Sequence, residues 1–425
     1  MPDSSITAAP NPAESPPGLD KKLLLTLAGG QFGSAIQTVS LVLVSFPLAA
    51  AAVTPDSKIW TLGLLTGLHA LVLIVVAPLA GVLSDRCTSR FGMRRPFILA
   101  GSLLAGAAMF VMGYSDTLPG LLVGDVLHAA GTGIFSGGFA AVVPDRVPEA
   151  FRGRVVGVMS AMSILAGVTA AVTLPALMDH HFALFALPGV LGTACSVAVA
   201  IALQDRLLSA DRAAGPAMFG LLVQFQIKPR QVPDFSWAWT SKFFLTLGSA
   251  FTTTYGVYFL TDQLEVSDTD LPALISATGL VGLVTAVVGA GVGAYISDRF
   301  QVRKIVILLS AFATGAGAVI IATAPDIAMY FTGMVVTGLA TGMLMPVEGA
   351  LMVDVLPGEG HESGKFMALA GLSDSLPRSI GPVLAPGVIA LGALTPIGGY
   401  PAVYLTGGAL AVIGGLLIRT TKGSY

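Results

Sequence analysis

The sequence predicts an all-α membrane protein whose twelve transmembrane helices form two pseudo-symmetric six-helix bundles. Three observations carry that expectation. Of the 425 residues, 54% are hydrophobic and only 11% are charged, whereas water-soluble domains carry about a quarter charged residues. Apolar runs of about twenty residues, long enough for a helix to cross a hydrocarbon core of roughly 30 Å, recur twelve times along the chain. Short charged segments of the first half return, in the same order, in the second.

The runs set the elements in order. Helices are expected over residues 22–50, 57–82, 96–114, 118–143, 153–178 and 182–203, and then over 238–261, 271–297, 303–323, 327–355, 365–391 and 397–419. The runs are continuously apolar rather than alternating, which argues against a β-barrel. Residues 1–20 hold five prolines and few hydrophobes, so they read as a disordered tail. They lack the basic start and apolar core of a cleavable signal. The expected organisation is this tail, a first bundle over 21–203, a linker over 204–237 and a second bundle over 238–425.

Charge orients the bundles. With the amino terminus in the cytoplasm, 20 of the 22 lysines and arginines fall on the cytoplasmic side, leaving Lys58 outside and Arg378 within a span. Basic residues resist translocation, so both termini are expected to be cytoplasmic. A single asparagine, Asn11, against 51 glycines fits a GC-rich bacterial genome and places the protein in a bacterial inner membrane. A net charge of −2 offers no footing for nucleic acid. Cys87 and Cys195 support no disulfide framework. The stretch GEGHESGK at 358–365 mimics a phosphate-binding loop, but Glu359 takes the place of its first glycine and Phe366 that of its Ser or Thr. No enzyme activity, cofactor or metal site is expected.

The loop GVLSDRCTSRFGMRRPFILAG at 81–101 concentrates Asp85, Arg86, Arg90, Arg94 and Arg95 within eleven positions. Asp298 and Arg299 echo Asp85 and Arg86 at an offset of 213 (298 − 85). Asp145 and Arg154, after the fourth helix, are echoed by Asp354 and Lys365 at 209 (354 − 145) and 211 (365 − 154). Two loops at nearly one offset imply a duplicated six-helix unit. Arginines at a helix end anchor topology. Asp85 can also face the positive amino end of a neighbouring helix, worth up to about 1 kcal/mol, and the arginines can pair with Asp145. Together these contacts would make a latch.

Gly81, Asp85, Arg86, Arg90, Gly92, Arg94 and Arg95 fill a Gly-x-x-x-Asp-Arg-x-x-x-Arg-x-Gly-x-Arg-Arg pattern that resembles the signature of the major facilitator superfamily. The wording SDRCTSRFGMRRPFI is similar to that loop in plant sucrose transporters and the wider glycoside–cation symporter group. The resemblance implies two bundles that rock about a central site, with the arginine-rich turn fastening them on the cytoplasmic face when the site opens outward. These seven residues with Asp145 and Arg154 are the expected conformational latch, and Asp298, Arg299 and Asp354 its weaker copy. The expected activity is secondary active transport of a small organic solute by a monomer.

Charges inside the spans point to the coupling chemistry. A centred Asp or Arg costs roughly 2.5–3.5 kcal/mol and needs a partner, water or a proton. Asp125 and His128 share a face of the fourth helix, Asp374 and Arg378 a face of the eleventh, and Glu348 lies just beyond Pro346 in the tenth. These five are the proton-coupling candidates, with structural pairing as the alternative for each. Gln31, Gln37, His69, Tyr255 and Tyr258 are candidates for a substrate cavity, where amides and hydroxyls orient a polar solute; interhelical packing is the alternative. Protons are favoured over sodium because the acidic pair that melibiose carriers place in the second helix is missing. Uptake of a glycoside or sugar is one reading, although amides are scarce and the membrane arginine of plant sucrose carriers is absent. Proton-driven export of a drug or secondary metabolite is the second, although the fifth helix lacks Gly-Pro-x-x-Gly-Gly. A membrane sensor or lipid transporter on the same fold is the third.

Overall fold

A computed structural model describes residues 20–203, 205, 232–355 and 363–421. Nearly all of the expected tail, most of the expected linker and most of the GEGHESGK stretch lie outside the described residues. Among the described residues, eleven helices are long and apolar enough to cross a membrane, and one further pair bent by 44° makes a twelfth span. They are α1 (Lys21–Val53), α2 (Lys58–Asp85), α3 (Arg95–Gly113), α4 (Leu118–Ala140), α5 (Glu149–Thr173) and α6 (His181–Ala202). The second half comprises α7 (Pro233–Thr254, continued as Gly256–Gln263), α8 (Leu271–Phe300), α9 (Arg303–Ala322), α10 (Ile327–Asp354), α11 (Ser363–Ala393) and α12 (Gly399–Leu417).

Local chemistry explains where these helices start and break. The Asp20 carboxylate accepts the Lys22 N–H and starts α1, and the Thr117 hydroxyl accepts the Gly120 N–H and starts α4. The single helix expected over 238–261 is broken instead. Thr252 and Thr253 donate their hydroxyls to the Ser249 carbonyl, and Thr254 donates to Ala250. Such back-bonding loosens the backbone ladder, and α7 stops at Thr254 and resumes at Gly256. α11 keeps its course through Pro377, Pro382 and Pro386, each of which removes one ladder hydrogen bond.

The helix contacts reproduce the internal duplication. α1 packs on α5 and α6, α2 on α4, and α3 on α4 and α6; six helices further on, α7 packs on α11 and α12, α8 on α10, and α9 on α10 and α12. Each of these contacts has its counterpart, while α11 also packs on α12 without an equally extensive contact between α5 and α6. The two most extensive contacts between the bundles, α2 with α11 and α5 with α8, are counterparts too.

Small residues permit these approaches. A Cβ on Gly101 of α3 would lie 2.4 Å from the Phe135 nitrogen of α4, and one on Gly131 would lie 2.5 Å from the Ala105 nitrogen. Lipid offers no hydrophobic drive to helix association, so close packing supplies the adhesion. Gly101→Val is expected to lower stability by about 1–3 kcal/mol through overpacking. Gly157→Ala, where nothing lies within 4 Å, is expected to be neutral or to stabilise by up to about 1 kcal/mol. Thermal unfolding of the two purified variants checks the opposite signs.

Candidate functional site

One guanidinium organises one end of the first bundle. Arg94 stands just before α3 and is 5% exposed. Its Nη2 lies 2.6 Å from Asp85 and 3.0 Å from Asp145, its Nε donates to Asp145 at 3.1 Å, and its Nη1 donates to the Ser84 hydroxyl at 2.5 Å. Burial disfavours the charge, but hydrogen bonds and attraction from Asp85 and Asp145 outweigh it and hold Arg94 above the ordinary arginine range. Asp205, just past α6, accepts the backbone N–H groups of Arg94 and Arg95 at 2.6 and 2.9 Å. Arg95 in turn donates to the Ala200 and Ile201 carbonyls of α6 at 2.5 and 3.1 Å. Gly92, at φ +108°, brings the loop against Asp205; a Cβ there would lie 2.3 Å from that carboxylate.

The second half repeats the arrangement with different residues from those expected. Arg303 pairs with Asp354, and Lys304 Nζ donates to the Thr421 carbonyl at 2.8 Å. Arg94 and Arg303, Arg95 and Lys304, and Asp145 and Asp354 are all 209 residues apart. Asp298 and Arg299, found through the offset of 213, sit four residues off that register and are exposed. The copy of the latch is therefore Arg303 with Asp354, not Asp298 with Arg299. In the first half, Arg154 is exposed outside the cluster, Arg90 lies over the Phe91 ring at 4.9 Å, and Gly81 backs against Gly137 of α4. The contacts made by Arg94 and Arg95 all stay within the first bundle, and the Asp85 side chain is 61% exposed. In this conformation Arg94 and Arg95 fasten helices of one bundle to one another.

The bundles meet at the opposite end, which carries Lys58. Lys58 Nζ lies 2.7 Å from the Asp262 carboxylate of α7 and 5.0 Å from the Tyr258 ring centroid. Tyr400 of α12 donates to the other Asp262 oxygen at 2.5 Å. Tyr258 donates to the Pro47 carbonyl of α1 at 2.8 Å. Tyr255 donates at 2.9 Å to the Pro382 carbonyl, the group that Pro386, lacking an N–H, leaves without its helical donor. The same hydroxyl lies 3.4 Å from the Ile59 carbonyl of α2. Gly63 and Gly67 of α2 fit against Pro382, Pro386 and Val383 of α11, and Gly279 of α8 against Ala171 of α5.

Between the bundles lies a cavity of about 370 Å³. Leu43 of α1 and Ile164, Gly167 and Val168 of α5 make an apolar wall. The second bundle supplies the hydroxyls of Ser249, Thr252, Thr253, Thr278, Thr337, Thr341, Tyr330 and Tyr404. A chamber of about 320 Å³ continues toward the Arg94 end and holds Lys242, Glu348, Asp374 and Arg378, sharing Ser249, Ala286 and Thr341 with the first. Arg378 holds Asp374 through two contacts of 3.1 and 3.3 Å. Glu348 Oε1 is buried without a hydrogen-bond partner in the described protein.

None of the five residues expected to line the cavity does so. Gln31 donates to the Ser163 hydroxyl at 2.8 Å, and Gln37 donates to the Gly189 carbonyl and Thr193 hydroxyl at 3.1 Å each, so both amides bond between helices. Tyr255 and Tyr258, 1% and 2% exposed, are spent on the closed end. His69 lies inside the first bundle, with Nδ1 2.7 Å from Asp125 and its ring 5.4 Å from that of His128. An amide or phenol finds backbone and hydroxyl partners between helices as readily as in a cavity, and local sequence does not say which. Lys58 carried a signal, as the one basic residue on the outer side; Asp262, Tyr400 and Asp205 did not.

A sequence model of the Major Facilitator Superfamily matches residues 23–294 and 243–423. The chain belongs to that superfamily. Within it, 98 residues are 42% identical to sucrose transport protein SUC3 of Arabidopsis thaliana, covering 23% of this chain and 15% of that protein. A 62-residue stretch is 49% identical to the general alpha-glucoside permease of Schizosaccharomyces pombe, 15% of this chain and 10% of the permease. The chain thus matches less than a quarter of the length of these curated relatives. Among solved structures, a D-xylose–proton symporter aligns with a TM-score of 0.71 at 17% identity, covering 95% of this chain and 98% of that one. A bacterial homolog of the human lysosomal transporter Spinster, inward-facing and occupied, also scores 0.71, at 15% identity over 95% and 97% of the two chains. At these identities the likeness is one of fold.

Two variants test the ends separately. Arg94→Ala leaves two carboxylates and a hydroxyl without their donor, and is expected to cost about 2–4 kcal/mol once their exposure is discounted; Asp85→Asn should leave membrane insertion and unfolding temperature intact while slowing transport. Asp262→Asn removes the Lys58 ion pair and weakens the Tyr400 bond, a loss of about 1–2 kcal/mol, or roughly five- to thirty-fold in the closure equilibrium. Hydrogen exchange over 58–67 and 255–263 should rise in that variant while the Arg94 loop is unchanged.

Proposed function

We propose that this protein is a proton-coupled symporter that takes up a glycoside or sugar across a bacterial plasma membrane by alternating access. The arginine-rich end and both termini face the cytoplasm in this reading, in keeping with the distribution of 20 of the 22 basic residues. The observation that carries the proposal is the cavity closed at the Lys58 end, walled by hydroxyls of the second bundle and continuous with a charged chamber toward the Arg94 end. Hydroxyl groups can exchange hydrogen bonds with sugar hydroxyls, and the closed end keeps the solute from returning outward. The named sucrose and alpha-glucoside relatives, matched over short segments, support the substrate class. Asp125, His128, Glu348, Asp374 and Arg378 remain the groups able to move or answer a proton within the spans. The solute partner is a small molecule, the energy source the proton gradient, and the unit a monomer in the bilayer.

The apolar wall of Leu43, Ile164 and Val168 favours one second reading, proton-driven export of an amphipathic compound. Proteoliposomes with an imposed inward proton gradient separate the two. Uptake predicts saturable accumulation of radiolabelled sucrose or maltose that collapses with a protonophore and drops at least tenfold in Glu348→Gln. Extrusion of a hydrophobic dye, without sugar accumulation, would favour export.

A further inference from the structure

We propose that His69, Asp125 and His128 form a proton-binding site inside the first bundle, separate from the solute cavity, and that His69 carries the coupling proton. The inference rests on the transport reading above. His69 of α2 and Asp125 of α4 meet at 2.7 Å, and His128 lies one turn from Asp125 with its ring 5.4 Å from that of His69. All three are buried, at 4%, 0% and 0% exposure. A group kept only for packing would have its polar atoms matched. Here His69 Nε2, Asp125 Oδ2 and both nitrogens of His128 have no hydrogen-bond partner among the described residues, so the cluster has sites at which a proton can be gained or exchanged.

Among the described residues, no other charge answers the cluster. Around it, α1 presents the Phe46 ring, 6.2 Å from His69, and α3 packs Met112 against Gly124. Lys58 and Asp85, on α2 itself, lie about 16 Å and 24 Å along the helix at roughly 1.5 Å per residue. On α11, Asp374 and Arg378 neutralise one another, and the Tyr255 hydroxyl meets α2 at Ile59 and Gly63, well before His69. Gly67, which faces Val383 of α11, is two residues before His69, or about 200° around the helix. One face of α2 therefore closes the bundles while the other holds the proton site.

This placement couples charge to closure. A protonated His69 beside an ionised Asp125 is neutral overall and can stay dry. When the proton leaves the imidazole nitrogen for water, a lone buried carboxylate remains, at a cost of several kcal/mol, and α2 must move to hydrate it. Closure at the Lys58 end thus requires the proton.

The double variant His69→Gln with Asp125→Asn leaves two neutral side chains that can still hydrogen-bond, so it carries neither a proton nor a lone carboxylate. In proteoliposomes it should retain sucrose counterflow, which needs no net proton movement, while accumulation under a pH gradient falls to about the equilibrium ratio. Accumulation at the wild-type ratio, or loss of counterflow together with accumulation, would overturn the assignment. The transport reading can fail independently, so proton uptake by purified protein is also measured with a pH indicator and no solute. On acidification the double variant should take up about one proton fewer than the wild type; equal uptake would overturn the site.

Discussion

A charge in an apolar medium has to be matched, and the architecture is arranged around that requirement. A chain with 11% charged residues places most of them at helix ends, and Asp125, Asp374 and Arg378 within the spans each answer to a specific neighbour. Arg94 is held by two carboxylates and a hydroxyl. Asp125 is held by His69, and Asp374 by Arg378 four residues along the same helix. Glu348 has an oxygen left over, and it sits in the chamber where a solute or proton can reach it.

Duplication turns this local requirement into a device with two ends. The main helix pairs of one bundle have their counterparts six helices later, and the two most extensive contacts between bundles, α2 with α11 and α5 with α8, are themselves counterparts. A tilt that opens one must therefore open the other at the same end. The ends differ in chemistry: the Arg94 end is secured within each bundle, whereas the Lys58 end is secured across them by an ion pair, tyrosine hydroxyls and close-fitting glycines. Rigid bundles with a separable seam are what alternating access demands.

Most of the fold could be read from the chain because hydrophobic run length is a strong, local signal in a membrane protein. The repeat was legible too, although its register was not. The Asp-Arg dipeptides attracted attention at an offset of 213, whereas the contacts obey 209, set by Arg303 and Asp354. A dipeptide match cannot sense a turn added to α8, but a side chain that must reach its partner can. The cavity was read least well. Gln37, Tyr255 and His69 are all polar groups in spans, and each is consumed by a partner far along the sequence. Most of the hydroxyls that do line the cavity come from threonines that, taken singly, look like helix packing residues. Which way a polar side chain faces is decided by tertiary contacts that a single sequence does not display.

The central claim is that the two bundles move as bodies, so that one end opens only as the other closes. Double electron–electron resonance on two spin-label pairs tests it most directly, one pair at Asp56 and Asp268 beside Lys58, the other at Arg90 and Phe300 near the Arg94 cluster. Titrating protons and sucrose should shift the two distance distributions in opposite directions, the short population at one end growing with the long population at the other. Distances that lengthen together, or that change at one end alone, would contradict the account.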